Sequence, residues 1–346
     1  MEKIRVGIIG AGQIVETAHL PAYMKHKAIT ELAAICDTNL EKAKQLADRY
    51  GIPKVYESHT EMLEQCSLDA VSVCVPNRFH AAASIAALNA GCHVLCEKPP
   101  AMNCEEALAM YEASERNGRI LSFNFHYRHA EEVKTLKELI DKGTFGDIYA
   151  ARVQALRRRG IPGWGSFINK ELQGGGPLID IGIHMLDTAL YLMGFPEPDH
   201  VFAGAHQRIG NRPGIGLMGA WDHTGFTVED SLFGFIRFKN GATLNLETAF
   251  ALNMKEKSVM NVHLFREKAG AVLFPLQLFS ESDTALTDQE FPYLKETDKW
   301  YESITDFINS CVYGRQPLYK ARESVVIQRL IDALYRSSET GRPVKW

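Results

Sequence analysis

The sequence predicts an α/β protein in two parts: an N-terminal doubly wound parallel sheet and a C-terminal α+β domain with a large, mainly antiparallel sheet. Three observations carry this reading. The 346 residues exceed what one core comfortably fills and suit two domains of roughly 150 residues each. Up to Phe123, short apolar runs alternate with helical spacing, the βαβα rhythm of a parallel sheet. Beyond it the apolar runs lengthen and alternate between strong turn signals. The division falls between residues 1–123 and 124–346.

In the first part the strands are expected at 3–9, 31–37, 69–75, 92–96 and 119–123, with a weak one near Val55. Helical spacing lies between them, as in Leu40, Ala43, Leu46, Ala47 and Tyr50, or Ala107, Met110, Tyr111 and Ser114. In the second part, strands are expected at 147–156, 227–239, 242–252 and 259–265. Asn240-Gly241 joins two of them as an antiparallel hairpin, because both turn residues accept positive φ. Leu232, Ile236 and Phe238 lie on one face of their strand and Phe233 and Phe235 on the other, so both faces need cover. Helices supply one cover and a second subunit the other, which predicts a homodimer or homotetramer through the C-terminal sheet. Ser324 to Ser338 has the spacing of an amphipathic helix.

Thirty-eight Lys and Arg against 42 Asp and Glu give a net charge of −4, which excludes nucleic acid and an acidic membrane surface as expected partners. The apolar runs are far shorter than the roughly 20 residues a membrane span needs. The opening MEKIRVGIIGAG runs into a strand without the basic and apolar regions of an export signal. With seven cysteines and no CxxC pair, this predicts a reducing, cytoplasmic setting. Cys92, His93 and Cys96 read as part of a buried strand, since no second ligand pair follows, and no metal is expected.

Gly10-Ala11-Gly12 follows the first strand and opens a helix, where backbone N–H groups through Gln13 and Ile14 can receive a pyrophosphate. Val15 occupies the third glycine position, so the helix is expected to sit slightly further from the sheet. Asp37 ends the second strand, placed to accept both adenosine-ribose hydroxyls and to repel a 2′-phosphate, which favours NAD over NADP. Capping of the next helix is a compatible second role. Pro76, Asn77 and His80 leave the strand at 69–75 toward the cofactor groove, although an N-cap and a packed histidine explain Asn77 and His80 equally well. Glu97-Lys98-Pro99 ends the strand at 92–96, facing the same crevice, and its X-Pro bond is a candidate for the cis form.

The second constellation is GGGPLIDIGIHMLD, residues 174–187, in which flexible glycines lead to Pro177 at the start of a helix ending at Gly194. Asp180, His184 and Asp187 fall at i, i+4 and i+7, a polar stripe on an apolar helix that must face water, a ligand or an ion. Gly182 inside the helix costs about 1 kcal/mol relative to Ala, which points to close packing there. Acid/base work by His184 is favoured over a satisfied core histidine or a metal site. Arg157-Arg158-Arg159 and Trp164 suit the cleft mouth, where Arg binds anions and sugars stack on Trp, or else form a solvated basic loop with a wedged Trp. Asn124, His126, Tyr127 and Arg128 follow the last strand of the first domain and are expected to line the inter-domain crevice.

On Gly10-x-Gly12 with Asp37, Pro76-Asn77-x-x-His80, Glu97-Lys98-Pro99 and Gly-Gly-Gly followed by Asp180-x-Gly182-x-His184-x-x-Asp187, the whole chain resembles the glucose-fructose oxidoreductase, inositol dehydrogenase and rhizopine-catabolism (Gfo/Idh/MocA) family. The resemblance implies a Rossmann domain with NAD, and hydride exchange between nicotinamide and a secondary alcohol or ketone of a sugar, cyclitol or derivative. It implies that Lys98, Asp180 and His184 act together at the substrate. His184 is assigned as base, Asp180 as holder of a neighbouring hydroxyl and Lys98 as polariser of the reacting oxygen, with the His and Lys roles open to exchange. Asn124, Arg157 and Trp164 join these three as expected substrate contacts. Some relatives are NAD-dependent glycosidases and a few are nucleotide sensors; retention of the three residues speaks against the sensor.

Overall fold

A computed structural model describes residues 2–143 and 146–346. The chain divides into one unit of Met1–His126 with Asp298–Gln328 and a second of Tyr127–Thr297 with Arg329–Trp346.

The first unit is built on six parallel strands, β1 (Ile4–Ile9), β2 (Thr30–Cys36), β3 (Lys54–Tyr56), β4 (Ala70–Val73), β5 (His93–Cys96) and β6 (Leu121–Phe123), in the order β3-β2-β1-β4-β5-β6. All four residues of β4 are buried, as befits a strand covered on both faces. The strand order reverses between β1 and β4, so the Gly10–Gly12 and Pro76–Asn77 loops leave the sheet on either side of its switch point. A helix from the far end of the sequence, Lys299–Tyr313, completes this unit by adding Ile304, Phe307 and Ile308 to the core of Val6, Ile8 and Ile35. A linear boundary at 123/124 leaves that returning segment out.

The second unit is a nine-stranded sheet of β7 (Ile148–Arg157), β8 (Pro198–His206), β9 (Ser231–Phe238), β10 (Thr243–Ala249), β11 (Ser258–Arg266), β12 (Ala269–Val272), β13 (Gln277–Glu281), β14 (Leu286–Glu290) and β15 (Val344–Lys345). Its order is β14-β13-β12-β11-β7-β10-β9-β8-β15. The sheet is mixed, because β7 and β10 pair in parallel while their other neighbours are antiparallel. The long intervening chain supplies the crossover that a parallel pair requires. The Asn240-Gly241 hairpin forms between β9 and β10, but only Gly241 takes positive φ, at +88°; the Gly241 N–H donates to the Phe238 carbonyl and the Phe238 N–H to that of Ala242, so residues 239–241 make a three-residue loop in place of a turn with two positive-φ residues. β9 begins at Ser231 and not at 227; the Thr227 backbone N–H is committed to the Ile168 carbonyl at 3.0 Å.

Leu232, Ile236, Leu244 and Leu246 form the covered face. A Cβ on Gly234 would lie 2.7 Å from Leu334 of the helix Ala321–Thr340, which marks how closely that helix approaches. The opposite face presents Phe202, Phe233, Phe235, Phe265 and Phe279, 37–48% exposed. Among the described residues no helix is long and apolar enough to cross a membrane.

Candidate active site

The nucleotide side is assembled at the carboxyl ends of β1, β2, β4 and β5. Gly10 has φ +106°, and a Cβ there would stand 2.3 Å from the Cys74 carbonyl oxygen, so only glycine lets the loop cross β4. A Cβ on Gly12 would meet nothing within 4 Å, and Gly12 and Gln13 are exposed with Ile14 beside them. Val15 is fully buried, and the helix that opens at Gln13 passes through a wide π-turn, Val15–His19, before continuing as Leu20–Lys25.

Asp37 accepts the Ala11 N–H at 2.6 Å on one oxygen and the Asn39 N–H at 2.7 Å on the other. It thereby ties the glycine loop to the end of β2. Capping of the helix Leu40–Tyr50 falls to Asn39, which accepts the Lys42 N–H, and not to Asp37. An open backbone turn beside a half-buried carboxylate with spare lone pairs fits the pyrophosphate and ribose of a dinucleotide.

Three residues expected at the cofactor or substrate make buried hydrogen bonds around Lys98. Glu97 is 8% exposed and accepts from Asn124 Nδ2 at 2.7 Å and from the Lys98 backbone N–H at 3.3 Å, with His19 Nε2 at 2.9 Å. Burial pushes its carboxyl up, but His19, the Asn124 amide and nearby Lys98 outweigh that and hold it down to about 2. Asn124 is wholly buried and braces Glu97 through its amide N–H. His80 is also buried, its two ring nitrogens 2.7 Å from the Pro99 carbonyl and 2.9 Å from that of Val75, and burial lowers its proton affinity. It anchors the Lys98-Pro99 turn, whose peptide bond is cis. Pro76 leads into a short turn, Asn77–Phe79, in which Asn77 is buried.

Sequence reading missed the rest of this network. His19 Nδ1 lies 3.1 Å from Ser72 Oγ, which is 2.8 Å from the Tyr23 hydroxyl. Its only signal was polar residues inside apolar elements. His126 is buried and stacks on Trp300 at 4.2 Å; burial, with Lys299 and Lys98 adding and Glu97 opposing, lowers its pKa to about 3.

In the second unit, Pro177 precedes a π-turn, Leu178–Gly182, that runs into the helix Ile183–Met193. Asp180 is partly exposed and His184 is 6% exposed, its ring tilted against that of Tyr127 at 5.4 Å. Burial raises the Tyr127 phenol while Arg157 opposes it, which brings Tyr127, His184 and Arg157 into one neighbourhood. The expected three-residue stripe breaks at Asp187, which is fully buried in a bidentate pair with Arg128 at 2.8 and 2.5 Å. Arg128 is 1% exposed, its guanidinium committed to Asp187. A Cβ on Gly182 would lie 2.4 Å from Thr248 Cγ2, the close packing the sequence called for.

The Arg157 guanidinium donates to the Gly160 carbonyl at 3.1 Å, so the loop itself occupies one of its donors. Arg159 is likewise held, by the Leu252 carbonyl at 2.8 Å. Trp164 stands 46% exposed. Cys92 donates to the Leu68 carbonyl and His93 accepts the Ile120 N–H. Among the described residues no group of three His, Cys, Asp or Glu side chains is arranged to hold a metal ion.

Comparison with known proteins matches residues 4–125 to the oxidoreductase family model with an NAD-binding Rossmann fold, and residues 133–269 to the GFO/IDH/MocA C-terminal domain. The chain is 45% identical over 342 residues to D-glucoside 3-dehydrogenase of Escherichia coli K12, covering 99% of this chain and 97% of that one. It is 30% identical to levoglucosan dehydrogenase of Pseudarthrobacter phenanthrenivorans, covering 71% and 67% of the two. The crystal structure of aldose-aldose oxidoreductase from Caulobacter crescentus, complexed with glycerol, superposes with a TM-score of 0.82 over the whole of both chains at 25% identity.

Proposed function

The chain belongs to the Gfo/Idh/MocA oxidoreductase family, with its NAD-binding Rossmann domain, and from that premise we propose that it oxidises a ring hydroxyl of a glucoside, at C3, to the ketone. The observation that carries this reading is the 45% identity, nearly end to end, to an enzyme named for that reaction. Bound NAD+ supplies the hydride acceptor. The remaining demands fall on side chains. His184, mostly enclosed, takes the hydroxyl proton; Asp180, at the more exposed start of the same helix, holds a neighbouring hydroxyl. Lys98, its backbone fixed by Glu97, polarises the reacting oxygen. Trp164 offers an exposed ring for a sugar face. NAD+ is preferred over NADP+, since Asp37 stands where a 2′-phosphate would be repelled.

The phenylalanine face of the nine-stranded sheet supports self-association, and seven free cysteines suit a reducing, cytoplasmic location. Incubation with NAD+ and a panel of glucosides, free sugars and cyclitols, read at the NADH absorbance with the ketone located by NMR, tests the reaction. Turnover of glucosides with C3 oxidation is expected, and Lys98→Met should lower it at least about a hundredfold while binding NAD+ normally. Oxidation confined to cyclitols or to the anomeric carbon would overturn the assignment.

A further inference from the structure

Glu229 lies just ahead of β9 and takes no part in the chemistry described above. Its carboxylate nevertheless meets three donors. One oxygen accepts the Gly176 N–H at 2.9 Å; the other accepts the Leu178 N–H at 3.3 Å and the Tyr335 hydroxyl at 2.9 Å. Gly176 and Leu178 bracket the start of the helix that bears Asp180 and His184, where N–H groups have no intrahelical acceptor and negative charge is favoured. Gly176 in turn gives its carbonyl to the Asp180 N–H at 3.1 Å, so one residue separates the carboxylate from Asp180.

The glycine run reads differently in this light. A Cβ on Gly175 would stand 1.9 Å from the Tyr335 hydroxyl oxygen, and one on Gly176 would stand 2.2 Å from the Glu229 carbonyl oxygen. These glycines supply clearance for a clamp, not flexibility. Burial pushes the Glu229 carboxyl upward while the Gly176 N–H and the Tyr335 hydroxyl pull the other way.

We propose that Glu229 is a positioning residue, whose carboxylate, braced by Tyr335, fixes the first turn of this helix and through Gly176 sets the placement of Asp180 against His184. The inference rests on the roles proposed for Asp180 and His184. The decisive variants are Glu229→Ala and Glu229→Gln, with Tyr335→Phe alongside, compared with the parent protein in turnover of methyl β-D-glucoside, KM for NAD+ and amide hydrogen exchange over residues 176–182. A displaced catalytic group costs up to about a hundredfold, so Glu229→Ala is expected to lose about thirtyfold or more in kcat with KM for NAD+ within about twofold of the parent. Exchange over 176–182 should rise at least about tenfold, whether or not the glucoside is turned over.

Glu229→Gln keeps an oxygen for Gly176 and should recover to within about fivefold of the parent, and Tyr335→Phe to within about threefold. A Glu229→Ala protein with parental exchange and kcat overturns the inference, as does equal loss in the Ala and Gln variants or a matching rise in KM for NAD+. Should Glu229→Ala fail to fold, Glu229→Met, which keeps the length of the side chain and removes its acceptors, carries the test: parental exchange and kcat there overturn it. Asp180→Asn and His184→Ala run in parallel separate the two readings. If they stay active, the reading of the site falls; if they are dead while Glu229→Ala is active, only the clamp falls.

Discussion

At the scale of single residues, carboxylates that accept several hydrogen bonds do most of the organising. Asp37 spends both oxygens on backbone N–H groups and still offers lone pairs toward a ribose. Asp37→Ala is therefore expected to weaken NAD+ by about 1–3 kcal/mol, the cost of a lost hydrogen bond to a charged group, while NADP+ loses less because repulsion of its phosphate also disappears. Paired titrations of the two cofactors check this, and an unchanged ratio would remove Asp37 from the ribose site. Glu97 and His126 carry a second expectation, in acid. Glu97 is held down to about 2 from 4.5, so its contribution to stability is complete above pH 4.5 and is lost as pH falls through 2. His126, lowered from 6.5 to about 3, folds as the neutral ring, so its contribution is complete above pH 6.5 and drains away as pH falls toward 3. Between pH 6.5 and 4.5 the contribution of His126 falls by up to about 1.4 kcal/mol per pH unit. His126→Gln should flatten the fall of unfolding free energy over that window by about one proton's worth. Denaturant melts at intervals across it provide the measurement, and a slope equal to the parent's would refute the assignment.

At the scale of elements, packing decides where the functional helix sits. Gly182 faces Thr248 of β10 so closely that an added methyl group must move one of them. Gly182→Ala is expected to cost about 1–3 kcal/mol by overpacking and to lower kcat with it. Adding Thr248→Ser removes the opposing methyl group and keeps the hydroxyl that donates to the Leu232 carbonyl, so the double variant should recover most of the loss. Additive losses in chemical denaturation would show that the contact is not the cause. This contact was legible in the sequence, because a glycine inside an apolar helix has few other reasons to exist. So were the strand–loop–helix of the dinucleotide turn and the Asn240-Gly241 hairpin, each of which needs particular local dihedrals. Asp187 was not, since i+7 spacing does not reveal that Arg128 comes from another element to neutralise it. The strand Leu286–Glu290 escaped notice for another reason: every residue in it is exposed, which leaves no alternation to read. The buried hydrogen bonds of Glu97, His80 and Asn124 were not legible either, because a sequence places a residue at a strand end without saying which partners its side chain finds.

At the scale of the whole molecule, the open face of the nine-stranded sheet remains to be accounted for. Phe202 pairs across from Phe235, Gly204 from Phe233, and Gly270 from both Phe265 and Phe279, so the five rings share one side of the sheet. A polar row of Arg152, Gln154 and Glu247, joined by hydrogen bonds of 2.8 and 3.0 Å, lies between them. Apolar rings around a satisfied polar centre suit a self-complementary twofold contact, in which each ring is buried twice. Substituting Phe233→Asp with Phe235→Asp in both subunits alters four rings. Each is already more than half covered, so about 1 kcal/mol apiece is at stake, about 4 kcal/mol in all, or about a thousandfold in the dissociation constant. Sedimentation velocity should find the parent as a dimer or tetramer and the double variant as a monomer that still binds NAD+, since neither residue belongs to the nucleotide-binding unit. A parent that sediments as a monomer at micromolar concentration, or a double variant that stays assembled, would mean that these phenylalanines are not the interface.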